Sequence, residues 1–173
     1  MEKRLELPAQ EWSDIKAGDE VLLSGTLYVG RDQVHQRLYN ALKSEEQLPF
    51  DFEGNAIYYM GPSPAPEGKV IGACGPTTAA RMDPFSPFLL SKGLRIMVGK
   101  GPRSQAVLDA VKEYGGLYLQ AYGGCGALYS QCVKKAELVA YPELGPEALL
   151  RLEIKDFLVF CIIDSTGTLY QRS

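Results

Sequence analysis

Short strand-like runs alternate with amphipathic helical stretches along most of this chain, and that alternation limits the possible folds more than any other feature. Residues 20–29, EVLLSGTLYV, read as a strand rich in β-branched and aromatic residues. RDQVHQRLYNALKSEE follows as an amphipathic helix, with Val34, Leu38 and Leu42 on one side and Tyr39 and Ala41 close to them. NAIYYM and KVIGAC read as two strands held apart by the proline- and glycine-rich loop GPSPAPEG. LRIMVG is a strand, and PRSQAVLDAVKEYG is a helix with Pro102 in its first turn and Gly115 at its close. GLYLQAY is a further strand, GGCGALYSQCV a short glycine-led helix, and KKAELVAY a strand. The tail, LRLEIKDFLVFCIIDSTGTLY, reads as two or three strands with an STG turn. Strand followed by helix, several times over, predicts an α/β layered domain with mixed strand directions. The β-rich ends predict a second sheet or a sheet that wraps around.

Composition narrows the class. A length of 173 residues suits one domain, spanning 1–173, with an ordinary hydrophobic core. Hydrophobic residues at 46% and charged residues at 23% fit a soluble globular protein. A net charge of −3 excludes a general basic face, so nucleic acid is not expected as a partner, although a local cation cluster is still free to bind a small anion. The opening MEKRLELPAQEW is not a signal peptide, and the longest apolar run, FLVFCII at 157–163, is too short to cross a bilayer. A cytoplasmic location with no membrane partner is the expectation. The four cysteines, Cys74, Cys125, Cys132 and Cys161, form no CxxC pair, and His35 is the only histidine. They read as free thiols in a reducing compartment, with no metal site on this chain.

In a layered α/β domain, ligands bind beyond the carboxyl ends of strands, where loops lead into helix N-termini. LYVG is followed by Arg31, Asp32 and His35; VIGAC by Gly75, Pro76, Thr77, Thr78 and Arg81; IMVG by Lys100, Gly101 and Arg103; LQAY by Gly123 and Gly124. Free N–H groups at helix starts attract carboxylate or phosphate. Arginine presents a planar fork that matches a carboxylate at two points, and lysine adds a point charge. If a helix starts near Thr77, then Thr77 and Arg81, four residues apart, share one face. Each residue also has an ordinary reading: Thr77 or Thr78 and Asp32 as helix caps, His35 as a surface or hydrogen-bonded residue, Gly123–Gly124 as a tight turn. GKG at 99–101 lacks the spacing and hydroxyl of a phosphate loop. Four cations at three successive strand ends nevertheless point to a site for a small anion.

Read together, GPTTAARMD at 75–83, GRDxxH at 30–35, GKGxRS at 99–104, YGGxYL at 114–119 and VKKAELVAYPELGPEAL at 133–149 closely resemble the class I fumarate hydratase family, in its C-terminal domain. In two-subunit members that domain is a separate β chain, and the tartrate dehydratase β subunit shares the pattern. The resemblance runs in order from about residue 3 to residue 170. It implies a swivelling β/β/α fold, a mixed sheet with helices. It implies reversible addition of water to fumarate to give (S)-malate, with a four-iron (4Fe-4S) cluster bound by an α-subunit partner and none bound by this chain. The implied assembly is a hetero-oligomer with two copies of each subunit, acting on a small dicarboxylate. Residue by residue, it implies that Arg31, Arg81 and Lys100 contact the substrate and that Thr77 takes the C3 proton. Asp32, His35, Thr78, Gly75 and Gly101 stand as supporting residues around them. Ala80 replaces a common glycine, GGCGA stands where alanines are usual, and Pro84 and Pro87 interrupt the helix after Arg81. L(+)-tartrate is therefore the alternative substrate. A non-catalytic anion-binding module is the alternative of another class, which the presence of Thr77 disfavours.

Overall fold

The computed structural model describes residues 2–171. Its strands are β1 (Glu2–Leu7), β2 (Glu20–Val29), β3 (Ala56–Tyr58), β4 (Ile96–Gly99), β5 (Leu117–Gln120), β6 (Val133–Ala140) and β7 (Leu149–Ile163). Helices α1 (Asp32–Lys43), α2 (Ser86–Ser91), α3 (Gln105–Tyr114) and α4 (Gly126–Gln131) lie between them, with 3₁₀ turns at Ala79–Met82 and Pro142–Glu147. β2, β3, β4 and β5 run parallel in that order, as expected where helices cover the crossovers. β7 then pairs antiparallel with both β5 and β2, so these five strands close into a ring. β1 extends β2, and β6 extends β7, outside the ring.

Alternation along the strands sorts the core. Ala56, Tyr58, Ile96, Val98, Leu117 and Leu119 join one cluster with Val21, Leu23, Leu27, Phe157 and Val159 from the long β2–β7 ladder. Their neighbours Ile57, Tyr59, Met97 and Tyr118 point the other way, against Val34 and Leu38 of α1, Leu89 and Leu90 of α2, and Val107 and Val111 of α3. The short central strands are thus buried on both faces, which is why they read as nearly unbroken apolar runs.

The α/β class and most elements agree with the sequence, while the KVIGAC strand and the divided tail do not. KVIGAC forms turns and loop rather than a strand. Only Ile71 and Cys74 of its apolar residues are buried, Val70 is exposed, and Gly72 is pressed onto the backbone of Ser63. The tail, by contrast, is one 15-residue strand. Asp156 takes a left-handed conformation within it (φ 54°) and meets Ser24 Oγ through its N–H at 3.0 Å, so a bulge bends β7 without ending it. The STG turn is present and returns through a bridge between Ile163 and Leu169. No helix among the described residues is long and apolar enough to cross a membrane.

Gly25 sits opposite Leu7 where β1 meets β2, with φ at 102°. A Cβ there would stand 2.2 Å from the Leu7 carbonyl oxygen. Gly25→Ala is expected to lower stability by about 3 kcal/mol, through backbone strain and displacement of β1. Urea unfolding of the variant against wild type measures it.

Candidate functional site

Four backbone segments are laced together beyond the carboxyl ends of β2, β3 and β4. The Gly30 N–H donates to the Tyr58 carbonyl at 3.0 Å, which brings the start of α1 beside the end of β3. The Thr77 N–H donates to the Tyr59 carbonyl at 2.7 Å, and the Ala79 N–H to the Lys100 carbonyl at 2.8 Å. Residues 75–81 therefore lie across the gap between the β3 and β4 ends, with Thr78 bridged to Lys100. Arg31, Thr77, Arg81 and Lys100 share this rim.

Arg31 is the residue before α1, with extended backbone. Its guanidinium covers Gly61, where a Cβ would stand 2.9 Å from Nη1. Glu147 Oε1 lies 3.6 Å from its Nε. That is too far for a hydrogen bond, and this buried Nε has no acceptor among the described residues. Asp32 opens the first turn of α1, where its charge suits the helix N-terminus, rather than capping it. Its Oδ2 accepts from Arg81 Nε at 3.1 Å and Nη2 at 2.8 Å. One edge of the Arg81 fork is thereby taken, and Nη1 with the second Nη2 proton is left for another acceptor.

His35 lies one turn along α1 and is buried. Its Nδ1 is 2.7 Å from the Arg31 carbonyl. A carbonyl only accepts, so Nδ1 carries the proton. Nε2 is then the acceptor nitrogen, buried and without a partner. Burial pushes the His35 pKa down to about 4, so the ring is neutral at neutral pH. Its contact holds the carbonyl of the residue that presents the Arg31 guanidinium.

The helix expected from Thr77 starts later. Thr78 is extended (φ −55°, ψ 120°), and the 3₁₀ turn begins at Ala79. A backbone bridged to its neighbour has to reach Lys100 before it can coil, so Thr77 and Arg81 do not share a helix face. The two threonines separate by burial: Thr77 is half-buried and Thr78 exposed. Neither hydroxyl has a hydrogen-bond partner among the described residues, so neither caps a helix. Gly75 packs beside Gly126 at the start of α4. Gly101 turns the chain after Lys100, and its carbonyl accepts from the Tyr118 hydroxyl at 2.7 Å.

Arg103, one of the four cations in the sequence pattern, is not on the rim. Its side chain is 1% exposed and pairs with Asp83 Oδ1 at 2.7 Å. It also donates to Ser86 Oγ at 2.8 Å and lies over the rings of Tyr59 and Tyr118. Burial opposes its charge, but Asp83 and the two phenols outweigh that and hold its pKa above the ordinary value. Asp83 Oδ2 meanwhile accepts the Ser104 N–H at 2.8 Å. This carboxylate ties the end of the Arg81 turn to the start of α3. Asp83 stands in the GPTTAARMD run, but nothing in its spacing marks it as a tie. Gly61 and Glu147 are equally silent in sequence, because their partner Arg31 lies 30 residues or more away.

The cysteines do not fit the iron–sulfur cluster that the resemblance implies. Cys74 and Cys161 are buried, and burial pushes both thiols up to about 12. No group of three His, Cys, Asp or Glu among the described residues is placed to hold a metal ion.

The buried neutral His35 makes stability depend on pH. The unfolded chain takes up its proton near the ordinary value of 6.5, the folded chain only near 4. Stability is full above pH 6.5 and falls as pH drops from about 6.5 to about 4, by roughly 3 kcal/mol from this group. Urea unfolding across that window is expected to show a smaller fall in His35→Gln than in wild type. Equal falls would mean the ring is not buried neutral.

Residues 2–172 match the family model described as Fumarase C-terminus. The chain is 43% identical over 160 residues to the aerobic class I fumarate hydratase of Salmonella typhimurium, covering 91% of this chain and 28% of that protein. It is 40% identical over 160 residues to fumarate hydratase 2 of Leishmania major, again covering 91% of this chain and 28% of the relative. Over 173 residues it is 38% identical to the putative L(+)-tartrate dehydratase subunit beta of Methanocaldococcus jannaschii, covering 96% of this chain and 89% of that one. The chain thus spans little more than a quarter of the Salmonella and Leishmania relatives, but most of the archaeal subunit. By the match along nearly its whole length, the chain belongs to the fumarase C-terminus family.

Proposed function

We propose that this chain is the β subunit of a two-subunit hydro-lyase that reversibly dehydrates (S)-malate to fumarate. The observation that carries the reading is the shared rim. Arg31, with a buried donor lacking an acceptor, lies beside Thr77, Arg81 and Lys100 on segments hydrogen-bonded across three parallel strand ends. Lys100 is exposed and has no side-chain partner among the described residues. In this reading one substrate carboxylate takes the open donors of Arg31, and the other meets Lys100 and the free edge of Arg81. Thr77 Oγ1 removes the proton from C3, and the electron pair of that C–H bond becomes the new double bond as hydroxide leaves C2. Lewis-acid help for the departing hydroxide would come from a 4Fe-4S cluster held by the α subunit, and no residue of this chain is assigned to it.

A threonine hydroxyl is a weak base, so the site has to favour its ionised form. Nearby positive charge does this, and three cations stand on the rim. Thr77 is chosen over Thr78 because it is half-buried between the β3 and β4 ends, whereas Thr78 is exposed. Asp32 and His35 act on the arginines, the first through the Arg81 fork and the second through the Arg31 carbonyl.

One observation favours a second reading, L(+)-tartrate as substrate: a relative that this chain matches over most of both lengths is named a putative L(+)-tartrate dehydratase subunit beta. Tartrate carries one hydroxyl more than malate, so the same clamp and base serve either. Assay of the chain combined anaerobically with a cluster-bearing α subunit, on (S)-malate and on L(+)-tartrate, separates the two.

In that complex Thr77→Ala is expected to lower kcat by about 10²–10⁴ with an unchanged melting temperature, and Thr77→Ser to keep part of the activity. Arg81→Lys keeps the charge but loses the Asp32 contact and the fork, so kcat/KM is expected to fall roughly ten- to a hundred-fold. Should Thr78→Ala be the inactive variant and Thr77→Ala nearly normal, the base is misassigned.

A further inference from the structure

Both rim arginines already face a carboxylate of the chain, and the two pairings differ. Asp32 gives Arg81 two hydrogen bonds, at 3.1 and 2.8 Å. Glu147 stands 3.6 Å from Arg31 Nε, within Coulombic range but outside hydrogen-bonding range. It offsets the charge of Arg31 without satisfying its donors. The Glu147 side chain is 32% exposed, so a rotation carries it into water. Its backbone is held on both sides. Ala148 and Leu149 are buried, while Arg37 pairs with Glu143 at 2.6 Å and lies over the Tyr141 ring.

Charge count gives this arrangement a consequence. Arg31, Arg81 and Lys100 oppose Asp32 and Glu147, which leaves one net positive charge on the rim. A dicarboxylate brings two negative charges, one more than the rim compensates while Glu147 is in place. We infer that Glu147 is a charge gate on Arg31: a dicarboxylate binds by taking the Arg31 donors, and the Glu147 side chain swings out to water as it does so. This rests on Arg31 being a carboxylate ligand, as proposed above. A monocarboxylate seated on Arg81 and Lys100 leaves Glu147 where it is. The gate therefore sets affinity for doubly charged ligands above all, and keeps Arg31 from holding whatever anion reaches an open rim.

The test is binding to the purified full chain at low salt and pH 7, by titration calorimetry. The probes are fumarate and crotonate, two trans four-carbon acids that differ in having two carboxylates or one. Removing one negative charge several ångströms from the ligand is worth roughly tenfold per ligand charge near a protein surface. Glu147→Gln is expected to tighten fumarate binding at least tenfold, and crotonate binding by no more than the square root of that factor. Glu147→Asp, whose shorter arm withdraws the charge, is expected to fall between wild type and Glu147→Gln. Glu113→Gln, an exposed change on α3, is expected to bind as wild type does. Equal tightening of both acids overturns the gate, as does unchanged fumarate binding in Glu147→Gln or no fumarate binding in either protein. Arg31→Gln tells apart the two ways of failing. If it weakens fumarate binding while Glu147→Gln changes nothing, the gate alone is wrong. If it binds fumarate as wild type does, Arg31 is not in the site and the reading beneath the gate is wrong as well.

Discussion

Strand β7 runs antiparallel to β2 from the Leu150–Val29 pair to the Phe160–Glu20 pair, then continues onto β5. That ladder turns a row of parallel strands into a ring, and the rest of the molecule is built on it. Without it β5 would be an open edge with unpaired N–H and C=O groups. With it, the carboxyl ends of β2, β3 and β4 are held side by side at one end. The loops leaving them have to run over the same rim, which is how residues from 31 to 100 become neighbours. The bulge at Asp156 is what allows one strand to serve both partners, because it bends β7 between its contacts with β6 and with β5.

Beneath the rim, charge is used in two ways. Arg103 is buried, paired and stacked, and its partner Asp83 ties the Arg81 turn to α3. Burying an ion pair is costly, and it contributes only when the remaining donors are also met. Ser86 and the two tyrosine rings do that here. The result is a fixed platform under residues 77–82. The cations above it are left incomplete: Arg31 without an acceptor, Arg81 with one edge taken, Lys100 without a side-chain partner among the described residues. The hidden arginine is thus satisfied while donors of the two rim arginines are not, and that contrast is what the proposed reading rests on.

How far this was legible in the sequence depends on the range of the interaction. β2 and α1 were readable nearly to the residue, because period-two and period-3.6 patterns are local. Gly115 at the close of α3 was readable too, and it is left-handed as a terminal glycine usually is. α3 itself opens on Ser104, whose side chain caps it, rather than on Pro102. The strand reading of KVIGAC failed because its register of burial is decided by contact with Ser63 and Gly126, not by its own residues. The helix start at Thr77 failed for a like reason, since the bridge to Lys100 overrides local coiling. Arg103 looked like a ligand because a cation after a strand has the same signature whether it faces a pocket or a tyrosine. Only the distant partners Tyr59, Asp83 and Tyr118 distinguish the two cases.

The openness of the rim bears on the proposed reading of this chain as one half of a site. Arg81 is about half exposed, at 48%, and Lys100 is exposed. At such positions water screens a unit charge pair at contact to about 1–4 kcal/mol. That is enough to bring an anion to the surface and too little to turn a threonine hydroxyl into an effective base. The same cations act far more strongly once a facing surface excludes water, with no change in their own positions. In the Salmonella relative the matched region is 28% of one longer chain. On the proposed reading, the open rim and the rigid placement of its donors belong together: residues fixed in position need only the exclusion of water to act more strongly on a bound carboxylate.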